Sequence, residues 1–207
     1  MNEPLEVEQL LGRLRDGDQQ ALGDLFAHYR PRLQRMVELR LDPRMAPRLD
    51  ASDVLQEAYL DASRQATAYL ASPGVACYVW LRGLTWQRLI KLQRRHLGAR
   101  RRATELEVSL PPGSSAVLAT QLLDRGPCPG EAVLQEELRQ RVQRALARLQ
   151  PADQEIILLR DFEGLSNREA AQTLGIADSA ATMRYGRALV RLREVLMAEW
   201  PAGESRP

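Results

Sequence analysis

The chain has 207 residues, with 29 Lys and Arg against 27 Asp and Glu, a formal net charge of +2. That length fits one or two domains with small cores, and the near-balance of charge leaves its distribution as the informative quantity. The N-terminus, "MNEPLEVEQLLGRLRDGD", is acidic and amphipathic rather than a signal peptide, and no apolar run reaches the roughly 18 residues of a membrane helix. A soluble cytoplasmic protein without membrane insertion is expected.

The two cysteines, Cys77 and Cys128, have no CxxC or HxxxC spacing, which argues against structural zinc or a disulfide framework. Leu, Ala, Arg, Glu and Gln dominate and β-branched residues are scarce, which favours helices. Over residues 5–40, Leu22, Leu25 and Phe26, then Leu33, Met36 and Val37, recur at helical steps. The two prolines of "LDPRMAPRLD" (41–50) interrupt the helix, and residues 51–64 resume it with Ser52 as the expected N-cap. "ASPGVA" (71–76) reads as a loop, and a helix is expected from Cys77 to about Arg102.

Composition then shifts. Residues 104–130 are rich in Pro, Gly and Ser and read as a flexible linker. Helix resumes at Glu131, Pro151 suits a first helical turn, and Gly164 suits a helix stop. Ser166 and Glu169 form an S-x-x-E capping box, Gly175 ends the short helix that follows, and a second helix starts near Asp178 as N-cap. That helix carries Arg184, Arg187, Arg191 and Arg193. A short helix, a glycine turn and a longer basic helix is the helix-turn-helix layout, whose second helix enters the major groove.

Two further stretches carry chemistry. From Ala62 to Thr104 there is no Asp or Glu, while Arg88, Lys91 and Arg95 fall on one helical face with Arg94 beside them. Tyr69, Tyr78, Trp80 and Trp86 are interleaved. A basic face tracks phosphates, and aromatic rings either stack on unpaired bases or pack in the core. Residues 50–61, "DASDVLQEAYLD", form an acidic amphipathic helix that displays Asp53, Gln56 and Glu57. Such a helix is either an ordinary surface helix or a docking face for a basic protein.

In this order the pieces resemble the extracytoplasmic-function (ECF) group of sigma-70-type transcription initiation factors. "DASDVLQEAYL" looks like that family's core-polymerase-binding segment. "YVWLRGLTWQRLIKLQRRH" looks like its −10-reading and melting segment. The run from "LQPADQEIILLRDFEG" to "RALVRLR" looks like region 4, which reads the −35 element. The resemblance implies an all-α fold of two small helical domains: region 2 over 1–103, a linker over 104–130, and region 4 over 131–200. It implies that Asp53, Gln56 and Glu57 bind core RNA polymerase. It implies that Trp80 backs the −10-reading loop at about 70–76, and that Arg88, Lys91, Arg94 and Arg95 hold promoter DNA. Thr182, Met183, Arg184, Gly186 and Arg187 would face the −35 bases and phosphates. Relatives are often held by an anti-sigma factor, which is therefore a further expected partner. The run "ADSAATM", Gly186 and Leu189 depart from the family's usual residues, and this leaves the −35 sequence open.

There is no Gly-rich phosphate loop, metal-ligand cluster or nucleophile–base pair, so no enzyme activity, cofactor or metal is expected. The rival from another class is a stand-alone helix-turn-helix regulator with an N-terminal oligomerisation or sensing domain. An acid-free aromatic-basic helix argues against it, because a sensing domain needs no second nucleic-acid surface. A helical adaptor that never touches DNA is the third alternative; strong salt dependence of DNA binding would exclude it.

Overall fold

The computed structural model describes residues 3–42, 45, 49–97 and 132–198, and these are helical apart from turns and short connections. The expected linker, Cys128, the Arg100–Arg102 run and the start of the helix at Glu131 lie outside the described residues. The chain divides into two compact units, 1–100 and 101–207.

The first unit contains α1 (Glu3–Arg15), α2 (Gln20–Arg40), α3 (Ala51–Ala71) and α4 (Cys77–Leu97). The helical stretch over 5–40 is two helices, not one. Gly17 takes φ +91°, and the Gly17 and Asp18 amides donate to the Leu14 and Arg13 carbonyls at 3.2 and 3.0 Å, a Schellman stop. The Arg13 guanidinium then bridges to Asp18 at 2.6 Å and Asp24 at 3.1 Å across the turn.

Helix α3 corrects a second expectation. Its N-cap is Asp50, not Ser52: the Asp53 amide donates to Asp50 at 2.9 Å, and the Asp50 amide donates to Asp53 Oδ2 at 3.3 Å. An aspartate can play both sides of a capping box, because each carboxylate spans the three-residue gap. α3 also runs beyond Arg64 to Ala71, since Ala62, Ala66 and Tyr69 keep its apolar stripe going. α2, α3 and α4 pack together around Leu25, Leu33, Met36, Leu55, Leu81 and Leu89, all buried. At the end of α2, Gln93 Nε2 donates to the Arg40 carbonyl at 2.9 Å, satisfying an orphan helix-terminal acceptor from α4.

The second unit contains α5 (Ala132–Arg148), α6 (Pro151–Ile157), α7 (Asn167–Leu174) and α8 (Asp178–Ala198). Pro151 sits in the first turn of α6 as its sequence position suggests, with Gln150 as N-cap. Gln154 Nε2 donates to the Leu146 and Leu149 carbonyls at 2.9 Å each and so closes the end of α5. α6 runs on into a π-helical turn over Leu158–Phe162, which no sequence signal announced. Across this junction Ile156, Ile157, Leu158 and Leu159 are all buried. Gly164 then ends the element at φ +71°.

Candidate nucleic-acid and partner-binding surfaces

The helix-turn-helix is built by local chemistry. The Glu169 amide donates to Ser166 Oγ at 3.2 Å and the Ser166 amide donates to Glu169 Oε2 at 2.8 Å, so the capping box starts α7. Gly175 stops it at φ +63°, with the Gly175 and Ile176 amides on the Gln172 and Ala171 carbonyls at 3.3 and 3.0 Å. Asp178 is the first residue inside α8 rather than its N-cap. There its carboxylate meets the positive end of the helix dipole, while its carbonyl accepts Asn167 Nδ2 at 2.8 Å. That bond ties the start of α8 to the start of α7.

α8 packs on α5, α6 and α7. Ala181 and Ala188 are fully buried, and their small side chains let α8 lie close to its supports. Two further ties fix its rotation. Arg191 pairs with Asp153, which is 4% exposed at the N-terminal turn of α6. Tyr185 Oη donates to Asp161 at 2.8 Å, with the Arg160 guanidinium 5.4 Å from the Tyr185 ring. Thr182, Met183, Gly186 and Arg187 consequently face outward, and Arg184 is half-buried. Thr182 Oγ1 donates to the Asp178 carbonyl at 3.1 Å. A hollow of about 300 Å³ lies beside them, lined by Asp153, Ala180, Met183, Arg184, Arg187 and Arg191.

On α4, the expected DNA-holding residues separate into two groups. Lys91 and Arg95 are exposed and Arg94 is half-buried. Arg88 instead turns inward onto α3: its Nε donates to Asp61 at 2.9 Å, a second nitrogen also meets Asp61, and Glu57 lies 3.2 Å away. Donating to the Asp61 carboxylate holds the Arg88 guanidinium even more firmly protonated than usual. Arg82, from the same acid-free stretch, is buried. Helical spacing put Arg88 with Lys91 and Arg95, and the structure pairs it with acids on the neighbouring helix.

The loop between α3 and α4 is braced by aromatics. Trp80 stacks on Tyr69 with ring centroids 4.2 Å apart and planes 5° from parallel. Tyr69 Oη donates to the Val75 carbonyl at 3.0 Å, so the same tyrosine ties the loop to α3. Burial pushes the Tyr69 hydroxyl up to about 12, keeping it a hydrogen-bond donor at neutral pH. Residues 71–74 and Ala76 remain exposed on this brace. Trp86 lies elsewhere, 5.0 Å from the Arg40 guanidinium.

Asp53, Gln56 and Glu57 are exposed on α3, as the amphipathic pattern suggested. Asp53 also belongs to the capping box and Glu57 to the Arg88 network, so only Gln56 of the three has neither tie. Beside them a groove of about 450 Å³ runs between α2 and α3, lined in part by Phe26, Ala27, Leu55, Gln56, Tyr59 and Leu60. Asp50, Asp61, Asp153 and Asp161 are the structural partners that sequence reasoning missed. Asp50 had a local signal, the D-x-x-D spacing. The other three pair with residues 24 to 38 positions away, pairings that no local spacing announces.

Among the described residues, no group of His, Cys, Asp and Glu is arranged to hold a metal ion, and no helix is long and apolar enough to cross a membrane. Cys77 is a buried free thiol, and burial pushes its pKa up to about 12, which leaves it inert.

Residues 139–192 match the family described as Sigma-70, region 4. RNA polymerase sigma factor CarQ of Myxococcus xanthus is 30% identical over 186 residues, covering 89% of this chain and 94% of that protein. The ECF RNA polymerase sigma-E factor of Escherichia coli K12 is 29% identical over 195 residues, covering 91% of this chain and 93% of its own. A solved structure of CnrH in complex with the cytosolic domain of CnrY shares the fold, with a TM-score of 0.55 and 23% identity over 94% of this chain and 99% of that one.

Proposed function

The chain belongs to the ECF sigma factors of the sigma-70 family, and from that premise we propose how its surfaces divide the work of starting transcription. As an RNA polymerase sigma factor it acts by binding, and its site of action is the cytoplasm, where polymerase and promoter meet. The first unit corresponds to region 2 and the second to region 4. Gln56, with the exposed carboxylates of Asp53 and Glu57, docks core RNA polymerase on α3. Lys91 and Arg95, with Arg94 beside them, hold the DNA backbone near the −10 element through charge. Arg88 supports them indirectly by locking α4 to α3. The exposed loop over 71–76, braced by the Tyr69–Trp80 stack, receives a base from the opened strand. Unstacking a base costs a few kcal/mol, so a fitted, pre-braced loop favours sequences that repay it.

In the second unit, α8 enters the major groove at the −35 element. Thr182, Met183 and Gly186 approach base edges, while Arg184 and Arg187 reach phosphates or purine edges. Two contacts at fixed promoter spacing select the start site. An anti-sigma factor that covered Gln56 or the outer face of α8 would silence the protein by competition.

The observation that carries this reading is relatedness across both units: the CarQ match spans 89% of the chain. A stand-alone regulator would share only the helix-turn-helix, and is not favoured. The test is run-off transcription with bacterial core polymerase, with and without this protein, on DNA upstream of its own gene. New, correctly initiated transcripts are expected. Binding of the fragment without polymerase and without initiation would instead mark a stand-alone regulator.

A further inference from the structure

The outer face of α8 has an unusual chemistry for a surface that meets a polyanion. Met183 is 56% exposed, and Ala180 and Gly186 beside it are exposed as well. A Cβ added at Gly186 would meet nothing within 4 Å, so the space in front of this backbone is open. Two polar groups of the face are tied within the protein: Thr182 Oγ1 donates to the Asp178 carbonyl at 3.1 Å, and Arg191 is bound to Asp153. Arg187, exposed, and Arg184, half-buried, flank the methionine. The centre of the face is therefore apolar and its edge cationic.

The apolar group that a base edge offers in the major groove is the 5-methyl of thymine, and phosphates run along the groove's rim. The arrangement of α8 matches that pair of features. We infer that Met183, with Ala180 and the open space at Gly186, selects a pyrimidine 5-methyl group in the −35 element. Arg184 and Arg187 set the depth of insertion on the flanking backbone. Met183 is then a specificity-determining residue, and the inference rests on the placement of α8 at the −35 element. The same chemistry is carried by thymine and by 5-methylcytosine.

The test uses holoenzyme assembled from the full chain and bacterial core polymerase. Sites are selected from a duplex library randomised over the upstream element, and each selected thymine is replaced singly by deoxyuridine, which lacks only the methyl. Binding is expected to fall about threefold to sixfold at one or two positions, the worth of one buried methyl group. Cytosine at such a position should bind worse, and 5-methylcytosine should recover part of the loss. Equal binding of 5-methylcytosine and thymine there assigns the methyl alone as the determinant; full dependence on thymine adds its O4. Holoenzyme carrying Met183→Ala should no longer distinguish thymine from uracil, whereas Met183→Leu should. Selected sites without thymine, or uracil tolerated at every position, would overturn the inference. A Met183→Ala variant that lost core binding with an unchanged thymine-to-uracil ratio would overturn it too, and would mark the face as protein-docking. Run-off transcription is read in parallel. No initiation on any template defeats the sigma-factor role and this inference together. Initiation without methyl dependence defeats this inference alone.

Discussion

α4 and α8 are both long arginine-bearing helices, and each has an arginine drawn into an ion pair within its own unit. Arg88 is drawn onto Asp61 and Glu57, and Arg191 onto Asp153. What remains outside differs. α4 presents Lys91 and Arg95, whereas α8 presents Ala180, Met183 and Gly186 beside Arg187. Exposed cations attract any phosphate, so on the proposed reading α4 would supply affinity with little discrimination. Small and apolar side chains gain nothing from phosphate and reward only a matching base edge, so on the proposed reading α8 adds discrimination to the charge of its exposed Arg187 and Arg193. The acids differ as well: the side chain of Asp153 is 6% exposed, while that of Asp61 is 21% exposed.

That last difference sets the largest expected effect. Arg191→Ala strands a buried carboxylate, which should cost about 2–3 kcal/mol and appear as a lowered unfolding midpoint. A midpoint within experimental error of the parent would show that Asp153 is not held by this pair. Arg88→Ala should cost less, about 1–2 kcal/mol, because water can reach Asp61. Its loss should appear as weaker protection of the α3 and α4 amides in hydrogen exchange. Equal costs for the two arginines would erase the contrast drawn from their acids.

The exposed cations should behave in the opposite way. Lys91→Ala and Arg95→Ala should leave the unfolding midpoint unchanged and lower the salt slope of holoenzyme–promoter binding by about 1 each. A slope identical to the parent would remove α4 from the backbone grip. The smallest effect is at Gly186. With open space around its missing Cβ, Gly186→Ala should stabilise α8 by up to about 1 kcal/mol, since glycine is a poor helix former. If it weakens promoter binding while raising the midpoint, the glycine is kept for close approach to DNA.

The proposed polymerase docking on α3 is harder to probe by charge reversal than its sequence suggests. Asp53 closes the capping box with Asp50 and Glu57 reaches Arg88, so reversing either would disturb folding along with docking. Gln56 is the cleaner position: Gln56→Lys should reduce capture of core polymerase without moving the unfolding midpoint.

The features legible in the chain are those whose cause lies within a few residues. The Ser166–Glu169 capping box, the stops at Gly164 and Gly175, and the first-turn Pro151 are each set by a side chain or a φ angle acting on its own backbone. The family pattern, carried by the order of such elements, was legible for the same reason. The stop at Gly17 and the Asp50 cap were equally local, and were masked by stronger neighbouring signals, the continuous apolar steps of 5–40 and the serine at 52. The task of each arginine was not legible, because helical spacing assigns a residue to a face but not to what covers that face. Asp61 lies 27 residues from Arg88 and Asp153 lies 38 from Arg191. Sequence alone thus set the helical class and marked two basic helices. Only packing decided which cations face outward, because an ion pair forms where two helices bring opposite charges within reach, however far apart they stand in the chain.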